Sequence, residues 1–100
     1  MDPVMNINVI ANLTCTADAD DTLQIELKKL LKATLAEEGC LSYEIYECNE
    51  EKGQYIIAEL WLDQHALDKH QHSPHYKYFV HIAPALLSEP VQIKTLTRLV

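Results

Sequence analysis

Glu59 and Trp61 stand two residues apart in a run, Tyr55 to Leu62, in which every second residue is apolar. Period-two spacing places both on one face of a strand. The indole, the only one in the chain, offers a flat apolar wall and one N–H donor. A carboxylate beside it, taken out of water, gains a proton more readily, and its pKa climbs towards that of a useful general base. Together the two can hold a flat, partly polar organic molecule and take a proton from it. Glu59 can equally form a salt bridge to Lys94 or Arg98 of the last strand across a subunit contact, and would then be structural.

Five histidines supply the remaining titratable chemistry: His65, His70, His72, His75 and His81. His70-Gln71-His72 with His75 nearby is the one stretch that invites a metal ion. The chain bends at Ser73-Pro74 between them and no strict ligand spacing is present, so no metal is expected. Proton transfer is the better use of His70 and His75, because an unperturbed imidazole titrates close to neutral pH. His75 follows Pro74 at a helix start, where the positive end of the helix dipole favours the neutral ring. Its alternative is a packing role at the helix N-terminus, near a subunit seam. His65 and His72 read as surface residues. With two glycines in the chain there is no phosphate-cradling loop, and no nucleotide cofactor is expected.

These residues need a scaffold, and the periodicities supply one. Met5, Ile7, Val9, Ala11, Leu13 and Cys15 alternate with Asn6, Asn8, Ile10, Asn12 and Thr14, which predicts a first strand. Asp18 to Asp21 offers N-cap candidates for a helix whose stripe is Leu23, Leu27, Leu30, Leu31 and Leu35, closed by Gly39. Leu41 to Cys48 and Tyr55 to Leu62 form a hairpin around Asn49–Gly53. Asp63 caps a short helix reaching about His70, and Ser73-Pro74 opens another that Pro84 bends or ends. Val91 to Leu99 is the last strand. The order β-α-β-β-α-β predicts an α+β ferredoxin-like fold with a four-stranded antiparallel sheet and helices on one face. The other face needs a cover, and a second copy is the simplest one.

Composition narrows the partners. One hundred residues make a single domain, here 5–100, behind a flexible leader at 1–4. Eight basic residues against fifteen acidic ones, net −7, argue against nucleic acid and against anionic membrane surfaces. No apolar run approaches a membrane span and no secretory signal is visible, so the cytoplasm is expected. Cys15, Cys40 and Cys48 are odd in number and read as ordinary thiols.

Glu38-Gly-Cys-Leu-Ser-Tyr-Glu-Ile-Tyr46, Glu59-Leu-Trp61, Ala66-Leu-Asp-Lys-His70 and Ser73-Pro-His-Tyr76 together closely resemble the antibiotic biosynthesis monooxygenase domain family. The resemblance runs from Met5 to Leu99. It implies a homodimeric α+β barrel and a cofactor-free oxidation of a quinol-like aromatic by O2, with related branches that degrade haem or isomerise a phosphorylated sugar. Carried over by position, it places Asn12 where some relatives keep a functional asparagine. There its amide would stabilise an aromatic oxyanion, unless it merely bonds to backbone. It also matches Trp61 to the family's third-strand tryptophan, and His70 and His75 to an H-x-x-S-P-H pattern. For a haem-degrading branch the axial histidine would be His81, although alignment through Ser73 puts Val80 there. The resulting expectation is a small aromatic substrate and O2 held by Asn12, Trp61, His75, His70 and Glu59. A non-catalytic ligand-binding protein and an isomerase using Glu59 with a histidine are the other readings.

Overall fold

The computed structural model describes residues 6–100, so the proposed leader and Met5 lie outside the described residues. The elements are β1 (Ile7–Thr14), α1 (Asp20–Leu35), β2 (Cys40–Glu47), β3 (Gln54–Trp61), α2 (Gln64–Gln71), α3 (Pro74–Leu86) and β4 (Gln92–Leu96). The strands form one sheet in the order β2-β3-β1-β4, and the paired strands are antiparallel. This is the ferredoxin-like arrangement expected from the sequence.

Register fixes the two faces. Ile7, Val9, Ala11 and Leu13 of β1 pair with Trp61, Glu59, Ile57 and Tyr55 of β3, so these eight share a face. Tyr43 and Ile45 of β2, opposite Glu59 and Ile57, join them. Val9, Ala11, Leu13, Tyr43, Tyr55, Ile57 and Trp61 are buried there with Leu23, Leu27 and Leu30 of α1, Ala66 and Leu67 of α2, and Phe79 and Ala83 of α3. The other face carries Asn8, Ile10 and Asn12 opposite Leu60, Ala58 and Ile56. No helix pairs with it, as expected of a split β-α-β unit.

Local chemistry explains most boundaries. Asp63 accepts from the Ala66 N–H at 2.9 Å and starts α2; Ser73 accepts from the Tyr76 N–H and, with Pro74 at the first position, starts α3. Four expectations shift. None of the acids at 18–21 caps α1 through its side chain: Ala19 is the N-cap, and Asp18 turns the chain at φ 68°. Asp20 instead accepts from the Tyr55 hydroxyl at 2.9 Å, and Gln24 donates to that same hydroxyl. Helix α1 ends at Leu35, before Gly39, whose φ of +90° serves the entry to β2. A Cβ at Gly39 would lie 2.6 Å from Cβ of Ala66, so the turn packs hard against α2. Pro84 lies inside α3, which runs on to Leu86, and β4 is shorter than expected.

Candidate active site

A cavity of about 550 Å³ lies between the helix-covered face of the sheet and α3, a volume suited to a small organic molecule. Ala11, Leu13, Ile57, Phe79 and Ala83 make its walls apolar, and Tyr43, Tyr76 and Glu59 bring polar groups into it. Among the described lining residues there is no Lys, Arg or His; the charged side chains are Glu59 and, on the exposed β4-side rim, Glu89. Val80, Pro84 and Ile93 are exposed and form the rest of the mouth.

Glu59 is the half-buried carboxyl group of this cavity. Burial pushes its pKa up to about 7; the indole N–H of Trp61, donating at 2.9 Å to Oε1, pulls the other way, and the negative charge of Glu37 adds to the rise. A carboxyl group so placed exchanges a proton near neutral pH, as a general acid–base requires. Tyr43 and Tyr76 are both pushed upward, chiefly by burial and then by Glu59, so their phenols stay protonated and can donate. Lys94 faces the opposite side of the sheet, opposite Ile10. Among the described residues Glu59 makes no salt bridge.

Trp61 is fully buried and does not line the cavity. The flat wall expected of it is supplied by Tyr43, Tyr76 and Phe79. Its ring lies 4.6 Å, centroid to centroid, from that of His70, and its N–H aims the Glu59 carboxylate. His70, 1% exposed, packs also against Tyr76 at 4.9 Å. Its Nδ1 is 2.6 Å from Oε2 of Glu37, and Nε2 of His75 is 2.8 Å from the same oxygen. Neither His70 nor His75 lines the cavity, and the carboxyl group on the sheet side that does is Glu59. Burial lowers the His70 pKa, against the opposing pull of Glu37.

The structure therefore brings Glu59, Trp61, His70 and His75 into one connected group and leaves Asn12 out. Asn12 points to the uncovered face, opposite Ile56 and Gln92, and on β1 the cavity is lined by Ala11 and Leu13. The cavity drawn from the sequence around Asn12, Glu59 and Trp61 is corrected on this point: odd and even positions of one strand cannot share a face. The bend at Ser73-Pro74, taken from the sequence to separate the histidines, instead folds His75 back towards His70. His72 is exposed and bonds to the Asp68 carbonyl. Val80 lines the cavity and His81 is exposed, so α3 presents no imidazole to an axial haem position there. Glu37, Tyr43 and Tyr76 were not singled out from sequence. The Tyr43 and Tyr76 positions follow from strand and helix phase, whereas Glu37 lies after α1 where periodicity no longer speaks.

Comparison with known proteins bears on this geometry. The profile of one family, described as Antibiotic biosynthesis monooxygenase, matches residues 6–82. The chain belongs to that family. It is 34% identical over 93 residues, 93% of this chain and 91% of the relative, to a Mycobacterium tuberculosis protein named "Putative monooxygenase Rv0793". The solved structure of that relative superposes with a TM-score of 0.90 over 95% of this chain and 96% of the other. PA3566 from Pseudomonas aeruginosa, 31% identical, superposes at 0.89 over 96% of each chain. Uncharacterized protein sll1783 of Synechocystis is 30% identical over 93% of this chain, which spans 61% of the length of that relative. Family membership fixes the fold; the chemistry has to be argued from the site.

Proposed function

We propose that this member of the antibiotic biosynthesis monooxygenase family is a cofactor-free enzyme that oxidises a neutral phenolic or quinol-like aromatic with O2, and that it works as a homodimer in the cytoplasm. The observation that carries the reading is Glu59: a carboxyl group with a pKa of about 7, held by an indole N–H at the wall of a largely apolar cavity. Family membership and the relative's printed name support monooxygenase-type chemistry. The described residues include no helix long and apolar enough to cross a membrane, and all three cysteines are free thiols, which suits a reducing compartment.

Ionised Glu59 takes the hydroxyl proton of the substrate. The phenolate passes one electron to O2, giving a phenoxyl radical and superoxide, which join at a hydrogen-bearing ring carbon, para to the hydroxyl in a simple phenol and ortho to it in a 1,4-hydroquinone. Protonated Glu59 returns its proton to the peroxide. Loss of the C–H proton at that carbon, back to Glu59, breaks the O–O bond and leaves a carbonyl; the released hydroxide leaves as water. In sum a phenol and O2 give a quinone and water, with no external reductant. Tyr43 and Tyr76 can donate to the oxyanion while it carries charge. Two acids and no cation at the lining disfavour phosphorylated or carboxylated ligands, which weighs against the sugar-isomerase reading.

Oxygen uptake with a panel of hydroquinones and para-unsubstituted phenols tests this. The Glu59→Gln variant should keep ligand affinity and lose roughly 10²- to 10⁴-fold in turnover, the usual worth of a general base. Isotopic O2 should leave one atom in the product and one in water. Binding without any oxygen uptake would support a non-catalytic ligand-binding protein, and unchanged turnover in Glu59→Gln would remove the assigned base.

A further inference from the structure

We propose that Glu37, His70 and His75 form a binding site for a divalent transition-metal ion of the zinc class, structural in role and separate from the cavity. Imidazole and carboxylate donors together suit such borderline ions. The three side chains come from the turn after α1, from α2 and from the first turn of α3, and their donor atoms all lie within 4.8 Å of one another. Zinc holds nitrogen and oxygen ligands at about 2.0–2.2 Å, which sets tetrahedral donor atoms roughly 3.3–3.6 Å apart around it. The observed separations of 2.6 and 2.8 Å from Oε2 of Glu37 to the two ring nitrogens would open by roughly 0.5–1 Å to admit the ion.

The donors are also prepared for an ion. His70 is clamped between Trp61 and Tyr76, so its Nδ1 has little freedom to leave the site. Among the described residues the only ionic partners of Glu37 are these two imidazoles. Solvent reaches the cluster past the His75 and Glu37 side chains, 24% and 15% exposed, leaving room for a water as fourth ligand. None of the three lines the cavity. A bound ion would pin the α1–β2 turn to both short helices and hold His70 against Trp61, whose N–H in turn aims Glu59.

Titration of the chelator-treated protein with Zn2+ by calorimetry, and with Co2+ by visible absorption, tests the site. One ion per chain is expected, with a melting temperature that rises with Zn2+ concentration. Loss of an outer-shell partner typically costs a metal site 10- to 100-fold, so Glu37→Gln and His75→Ala should each lose about 100-fold or more in affinity. His65→Ala and His72→Ala, at exposed positions outside the cluster, should leave it unchanged. The partly exposed His75 is the safer position should Glu37→Gln fold poorly. No saturable binding to the wild type, or binding that survives His75→Ala, or binding removed by His65→Ala or His72→Ala, overturns the proposal.

Discussion

Glu59 holds its proton up to about pH 7 because burial penalises the carboxylate. If the ionised form is the working base, kcat/KM should climb between about pH 6 and 8 and then level off. Stability should move in the opposite sense. The folded state binds the extra proton between its ordinary value of 4.5 and about 7, so stability falls as pH rises through that window and is constant above it. The rise from 4.5 to about 7 sets the loss at about 3–4 kcal/mol. Urea unfolding across pH should show the slope in the wild type and not in Glu59→Gln. The Trp61 N–H lowers this pKa, so Trp61→Phe should carry the rising limb of activity to higher pH while the ring still packs on His70. A limb that stays in place would show that the indole does not tune the base. Alternation along β3 made the shared face of Glu59 and Trp61 legible from sequence. It gave no information on which face of β1 meets that side, and Asn12 was placed by resemblance to relatives where phase and pairing decide the face.

At the scale of elements, the turn from α1 into β2 does more than connect. Gly39 combines a φ of +90° with contact against Ala66, and its carbonyl accepts from the Leu62 N–H at 2.8 Å. That packing carries Glu37 over α2 and so over His70. Gly39→Ala meets both the backbone strain and the 2.6 Å clash. It should destabilise the fold by about 1–3 kcal/mol, read as a lower urea midpoint at unchanged slope. It should also weaken the contact between Glu37 and the two imidazoles. The caps at Asp63 and Ser73 could be read directly, because a short polar side chain before a helix has one dominant use. Gly39 was read as a helix stop, its commonest use, and its approach to α2 exists only once the chain is folded. The convergence of His70 and His75 is likewise a product of the bend at Ser73-Pro74, since no linear spacing encodes it.

For the molecule as a whole, the uncovered sheet face is the feature that asks for a partner. Ile10, Ala58, Ile56 and Leu60 lie on it, half-buried, and Leu96 at its edge is 46% exposed. A second copy of the same face would cover them, and in a chain of 11.4 kDa that added core would contribute substantially to stability. Ala58 sits mid-sheet between Ile10 and Glu44. Ala58→Asp should therefore convert a dimer into monomer in sedimentation, and wild-type melting should depend on concentration. A wild type that sediments as a single chain at high concentration would rule out the dimer. Fold and sheet order were legible because each element carried its own period. The cavity was not, because it is the space left between α3 and the sheet.

Pro84 adds one more condition on what enters. It cannot donate to the carbonyl four residues back, so the Val80 oxygen loses its place in the helical ladder, and both residues border the cavity. The helix is thus less tightly bonded just where the cavity opens, and the carboxyl group on the sheet side is left to receive the polar end of a guest: a hydroxyl there has a proton to give, whereas a methyl ether has none.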